Sequence, residues 1–408
     1  MTDERSQQPA TLRRRLGLPL LVLYGTGITV GAGIYVLIGA VARHAGIYAP
    51  WSFLLAAVVM GLTVASYTEM ATRYPVSAGE AAYMRAAFGS RFMSTAVGLL
   101  TLATGIVGSA AVTLGGTGYV KQFVDLPTPL LSGTIIIVLG AVAAWGILES
   151  VLLASLFTVI EVGGLVVIIA TATHSGIAFA PVLMAVPPLE PATLSGIAFA
   201  SLLAFFAFIG FEDLANVVEE AKVPRRDIPR AMALTLLITS VLYILVAAIA
   251  VSVVTPAQLA ASPAPLSLVY RAVAGISPAT FNAIAVVATL NTILAQMTMA
   301  ARVVYGMARQ GDLPKLAGHV HGRTGTPLVA TGLVVICVIL LALVFPLERL
   351  AESTSIATLA TFALVNLSLL RIRLRNVASV NQHVRVPVWV PALGVVSCLA
   401  MIAGALLG

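Results

Sequence analysis

Charge is scarce in this sequence. Asp, Glu, Lys and Arg make up 10% of its 408 residues against 59% hydrophobic ones, and the mean hydropathy is +1.02. That balance excludes an ordinary soluble globular chain. Cysteine is scarcer still: Cys337 and Cys398 are the whole supply, which excludes a disulfide scaffold or a cysteine-built metal centre. Both fall inside apolar runs and are expected to behave as small buried hydrophobes. The five histidines, His44, His174, His319, His321 and His383, lie in loops or at the edges of apolar runs. No buried histidine is left for a Ser–His dyad or a catalytic metal. His319 and His321 have the spacing of a metal pair but lack further ligands, and read as a loop. An intramembrane aspartyl pair needs two aspartates within spans, and only Asp213 qualifies. No enzyme is expected.

What the chain does have is long apolar runs. At about 20 residues per crossing, eleven candidate spans cover 17–42, 47–72, 93–118, 129–148, 151–173, 194–217, 230–253, 280–304, 326–345, 350–370 and 388–407. The intervening loops are short, so no soluble domain fits. The chain divides into a cytoplasmic tail over 1–16, five spans over 17–173, five over 194–370 and an additional span over 388–407. Ala40-Val41-Ala42 has the form of a signal-peptidase site, but the run before it is too long for a signal sequence, so a retained span is expected. With the N-terminus inside, all of the 23 lysines and arginines except Arg43, Lys121, Arg271 and Arg349 fall on the cytoplasmic side. That is the positive-inside asymmetry. It accounts for the net charge of +7 without a nucleic-acid partner. The expected partner is the lipid bilayer of the cell membrane; the oligomeric state is left open.

The first span contains "GTGITVGAGI", residues 25 to 34. Each glycine costs a helix about 1 kcal/mol relative to alanine, and a freed backbone group in a membrane has no water to turn to. Gly27-Ile-Thr-Val-Gly31 has the GxxxG form of close helix packing. A dinucleotide-binding loop needs a βαβ unit, which a 26-residue apolar run excludes. The second cluster, Gly31-Ala32-Gly33, favours a third reading: a helix interrupted in mid-membrane, whose second half presents free N–H groups. Five spans later, "SLLAFFAFIGFEDLANVVEEAK" places Gly210 among Phe205, Phe206, Phe208 and Phe211, then Glu212 and Asp213, before apolar residues resume. A span ending early at the interface is the plainer alternative. Two irregular spans in matching positions point to a binding site in a transporter built from inverted repeats.

The stretches "GTGITVGAGIYVLIG", "ASYTEMATRYPVSAGEAAYMRAAFG", "FFAFIGFEDLANVVEEAKVPRRDIPRAM" and "AARVVYGMARQGDLPKLAGHVHGRTGTP" resemble permeases of the amino acid–polyamine–organocation superfamily, from residue 12 to about 400. The resemblance implies an all-α polytopic fold of the leucine-transporter type: a five-plus-five inverted repeat with discontinuous spans 1 and 6 and transport by alternating access. It implies that the substrate carboxylate meets backbone N–H groups of Gly31, Ala32, Gly33 and Ile34. It places the ammonium on carbonyls of Thr29, Phe206 and Ile209, with Phe206 also closing over the substrate and Glu212 acting in gating. Many members carry serine at the position of Ala32. Most have twelve spans where eleven are counted here. Some proton-coupled members have a lysine in span 5, where Glu161 aligns.

Glu161 lies eleven residues past Ser150, roughly 16 Å along a helix and so near the midplane. A carboxylate there costs about 3 kcal/mol by insertion scales. It reads as the coupling residue, for a proton or for sodium shared with Thr289 or Thr292, or else as a protonated packing group. Asn291, between those threonines, lies at similar depth and joins the candidate site. No further cofactor is implied. Glu219, Glu220, Lys222, Arg225, Arg226, Asp227 and Arg230 read as a solvated cytoplasmic face, with an inner-gate role as the alternative and Asp227 capping span 7. The outer stretch 255–275 reads as a lid or a plain connector. The expected function is ion-coupled or exchanging transport of amino acids, leaning to small or medium neutral ones. An amine or polyamine carrier of the same fold, and an amino acid sensor without transport, are the alternatives.

Overall fold

A computed structural model describes residues 16–75, 79–145, 151–321, 324–376 and 384–407. The tail residues Arg5, Arg13, Arg14 and Arg15, together with Arg323 and His383, lie outside the described residues. Within them the chain is helical throughout, and the one extended pairing is a bridge between Leu16 and Ala221.

The first apolar run is two helices, α1 (Leu18–Val30) and α2 (Gly33–Ala45). A 3-10 turn leads α2 into α3 (Ala49–Arg73), followed by the short α4 (Gly79–Phe88) and then α5 (Arg91–Val120), α6 (Thr128–Trp145) and α7 (Val151–His174). After a five-residue turn, α8 (Ala180–Met184), the sixth run is α9 (Pro191–Phe206), an irregular turn, and α10 (Asp213–Asn216). Then come α11 (Pro224–Val253), the short pair α12 (Pro256–Ala261) and α13 (Pro265–Ala274), α14 (Ala279–Gln310), α15 (Leu328–Val344), α16 (Leu347–Leu374) and α17 (Trp389–Leu407). Among the described residues, seven stretches are long and apolar enough to cross a membrane, with α2 and α3 running on as one of them. α1, α9, α15 and α17 are shorter apolar helices.

Local chemistry sets several boundaries. Ser90 caps α5 by accepting from the Met93 N–H. Thr255 and Gln258 form a reciprocal capping box on α12, which satisfies orphan donors at both ends of the first turn. α11 starts six residues before the expected 230, because Pro224 suits a first helical turn, where its missing N–H is not needed. Asp227 is therefore not the cap of that helix. It lies in the first turn, buried, with its carboxylate taking the Arg226 Nε at 2.7 Å. The charged residues around it are mostly exposed. Of the two cysteines, Cys398 is buried beside Thr63, while Cys337 lies on the exposed face of α15 and so departs from the expected burial.

The packing is ordered. α5 lies against α14 and α16, α3 against α11 and α9, α1 against α11 and α7, α2 against α9, and α6 against α15. α9 also touches α16, and α7 touches α14. The segment between α11 and α14 is docked: α12 packs on α2, with Leu259, Leu266 and Val269 fully buried.

Candidate substrate and ion site

Both irregular runs are interrupted, and the interruptions meet. α1 ends at Gly31, whose backbone (φ −2°, ψ −144°) leaves the helical region. Gly210 turns the other chain at φ +129°, where an L side chain is disfavoured. A Cβ there would lie 2.6 Å from the Ile28 side chain and 3.0 Å from its backbone. Reciprocally, a Cβ on Gly33 would lie 2.5 Å from the Ala207 Cα. The two breaks therefore pack main chain against main chain. The GxxxG reading holds as well, since Gly27 accommodates Thr158 of α7 in direct contact.

Polar groups gather around this crossing. The Ala32 N–H donates to Thr292 Oγ1 of α14 at 3.0 Å, and a Cβ on Gly31 would meet that same hydroxyl at 2.5 Å. Gly33 and Ile34 open α2, so their N–H groups have no intrahelical acceptor. The helix dipole favours an anion at that end. Opposite them, the Tyr243 hydroxyl of α11 lies 2.8 Å from the carbonyl oxygens of both Thr29 and Ala207, so its single hydrogen is shared between the two broken helices. Phe206 ends α9, buried, and its carbonyl accepts from the Ile209 N–H at 3.3 Å. The Glu212 carboxylate turns back to accept from the Gly210 N–H at 2.8 Å.

Glu161 is fully buried at the level of the break. Its Oε1 accepts from Asn291 Nδ2 at 3.0 Å, whereas Oε2, equally buried, has no hydrogen-bond partner among the described residues. Its backbone carbonyl accepts from the Tyr35 hydroxyl at 2.5 Å, and the Tyr35 carbonyl in turn accepts from Tyr119 at 2.6 Å. Thr289 is placed apart from this group. Its hydroxyl donates to the Val286 carbonyl, and its side chain packs on Gly116 of α5. Thus Gly31, Ala32 and Thr292 come together, as do Glu161 and Asn291, while Thr289 faces elsewhere. Sequence reasoning missed Tyr243 and Tyr35, which stand among apolar residues of α11 and α2.

The sequence profile of amino acid permeases matches residues 16–407. The chain belongs to the amino acid permease family. Its class is accordingly that of a multi-pass membrane transporter, not an enzyme. It is 30% identical to the branched-chain amino acid permease BcaP of Bacillus subtilis over 96% of this chain and 88% of that one. It is 28% identical to the mitochondrial cationic amino acid transporter 3 of Arabidopsis thaliana over 89% of this chain. It is 29% identical to the vacuolar cationic amino acid transporter 2 of the same plant over 89% of this chain. The match covers 63% and 60% of these two plant proteins, less than two thirds of their length.

Proposed function

We propose that the chain carries small or medium neutral amino acids across the cell membrane by alternating access, with uphill movement coupled to a proton at Glu161. The observation that carries this reading is the meeting of the two interruptions, which sets an anion-favouring helix start beside helix-end carbonyls. The N–H groups of Gly33 and Ile34 receive the carboxylate, joined by that of Ala32 once Thr292 releases it; the Gly31 N–H, also expected there, instead donates to the Gly27 carbonyl at 3.2 Å. The carbonyls of Thr29, Phe206 and Ile209 receive the ammonium, which takes over from Tyr243 at Thr29.

The five-plus-five inverted repeat and eleven crossings belong to this proposal, as does a cytoplasmic N-terminus. The pairing of α2 with α9, α3 with α11, α5 with α14 and α6 with α15 supports the repeat. Each of these is a span and the span five further on. The contacts α1–α7 and α9–α16 correspond in the same way, as do α5–α16 and α14–α7.

For the coupled ion, the Asn291 amide presents a donor to Glu161 Oε1. A donor facing that oxygen takes a place where a sodium ion would need an oxygen ligand. A proton needs only the vacant Oε2.

The name of BcaP supports a neutral amino acid. The unpartnered Oε2 of Glu161 favours a second reading, a cationic amino acid or amine, in line with the names of the plant relatives. Uptake into proteoliposomes decides between them, using amino acids, their methyl esters and their decarboxylated amines. Neutral amino acids should be taken up, with cationic amino acids and both modified sets refused; uptake of cationic amino acids or of the amines, with neutral amino acids ignored, would replace the first reading by the second.

A further inference from the structure

A cavity lies away from the break, at the end of the bundle that the lysine and arginine distribution assigns to the outside. Its volume is about 350 Å3, and its walls include Val36, Leu114, Lys121, Thr128, Ser262 and Leu347. Val36 lies one helical turn beyond Gly33, so the cavity abuts the outer half of the interrupted first span. Its roof is the connection between α12 and α13, where Pro263 meets Gly118 of α5 in direct contact.

The charge in this cavity has one sign. Lys121 is the only ionisable residue on its wall among the described residues. It is exposed, its Nζ donates to Thr128 Oγ1 at 3.3 Å, and it has no ion-pair partner among the described residues. α6, α13 and α16 all begin at the wall, at Thr128, Pro265 and Leu347, so three positive helix ends add to the ammonium. The C-terminus of α5 also borders the cavity, and Lys121 follows directly on that helix and offsets its carbonyl end. No carboxylate lines the space to receive an ammonium, and Val36, Leu114 and Leu347 provide apolar wall.

We infer that this cavity is an entry site that holds an amino acid by its carboxylate against Lys121 before the substrate reaches the break. The inference rests on the transport reading above for the identity of the substrate, and only on the cavity for the chemistry of the ligand. The ligand class is a monocarboxylate with a short apolar chain; the ammonium group takes no part in holding it there. A deaminated analogue such as 4-methylpentanoate should therefore occupy the cavity without being carried.

The test uses the full chain in proteoliposomes, with Lys121→Gln and Lys121→Arg as variants; the residue is exposed, so both should fold. Lys121→Gln should raise the apparent KM for amino acid uptake by about 3- to 10-fold with Vmax within about twofold, an effect of lost electrostatic concentration at the entrance. The arginine variant should stay near wild type. Raising ionic strength should increase the wild-type KM and leave that of Lys121→Gln unchanged. Inhibition by 4-methylpentanoate should weaken by a similar factor in the glutamine variant. An unchanged KM and unchanged inhibition in Lys121→Gln, with transport otherwise normal, would overturn the entry site and leave the transport reading standing. If the wild type takes up no amino acid, the transport reading falls, and binding of labelled 4-methylpentanoate to the purified protein decides the cavity separately. Binding lost in Lys121→Gln supports the site; absent binding, or binding equal in both proteins, overturns it.

Discussion

Gly210 and Tyr243 do opposite jobs at the crossing of the broken helices. Gly210 permits contact, since its φ of +129° and its approach to Ile28 leave no space for a Cβ. Gly210→Ala should therefore lower stability by about 1–3 kcal/mol and abolish uptake. A thermal shift in detergent checks this, and an unshifted melting curve would mean that the crossing is looser than described. The same logic limits what a larger residue at Gly33 can reveal. Its Cβ would strike the Ala207 backbone, so Gly33→Val disrupts packing before it blocks any ligand. Tyr243 supplies the hydrogen that the break itself lacks, holding the Thr29 and Ala207 carbonyls together. Tyr243→Phe keeps the ring and removes one shared hydrogen bond, a net loss of about 1 kcal/mol. A substrate ammonium bound at Thr29 would replace that hydrogen. Saturating substrate should then raise the melting temperature of Tyr243→Phe by more than it raises that of wild type. Equal shifts in the two proteins would separate Tyr243 from the ammonium site.

At the scale of elements, α4 shows how a short helix is held where the sequence gives little warning of it. It follows α3 closely, and the Tyr67 hydroxyl of α3 donates to Glu80 Oε1 at 3.0 Å, with Glu80 buried. Burial pushes the Glu80 carboxyl above its usual range, against the lowering effect of its hydrogen bonds. A raised carboxyl favours the proton-bound folded form. Its stabilisation is complete below the ordinary glutamate value and is lost as pH rises through the raised one. Glu80→Gln keeps an acceptor for Tyr67 and removes the charge. Its melting temperature should match wild type near pH 4 and exceed it increasingly toward pH 8; parallel curves would place the pH dependence elsewhere. The legibility of other elements follows their physics. Glycine density marked the break at 31–32, and the return of apolar residues after Glu212 and Asp213 marked the second one. The start of α11 was hidden, because Arg225, Arg226 and Asp227 obscure a helix that Pro224 opens. Thr289 and Thr292 could not be told apart from composition. Their separation depends on helical phase against α5 and the first span, which one sequence does not fix. Glu161 was legible by depth alone, while its amide partner Asn291 became specific only when α7 and α14 met.

Across the whole molecule, the first halves of the two broken helices, α1 and α9, rest on different neighbours. α1 rests on α7 and α11, whereas α9 rests on α3 and α16. The Leu16–Ala221 bridge links the start of α1 to the segment after α10, through Leu16 N–H to Glu220 O at 3.0 Å and Lys222 N–H to Leu16 O at 2.8 Å. A rearrangement that moves α1 and α2 away from α7 would open the space around Glu161, because Gly27 of α1 packs on Thr158 one turn below it and Tyr35 of α2 bonds its carbonyl. Water reaching Oε2 from alternate sides would let the carboxyl take a proton on one side and release it on the other. On the proposed reading, coupling requires the acid itself, while substrate recognition requires only the backbone groups of the break. Glu161→Gln retains shape and the capacity to pair with Asn291 but cannot titrate. It should bind substrate and catalyse exchange between equal pools at rates within a few fold of wild type. It should fail to concentrate substrate when an inward proton gradient is imposed without sodium, a gradient that drives the wild type. Counterflow and gradient-driven uptake, measured in the same vesicles, separate these two capacities. If the glutamine variant concentrates substrate as well as wild type, Glu161 is a packing hydrogen bond and the driving ion acts at another site.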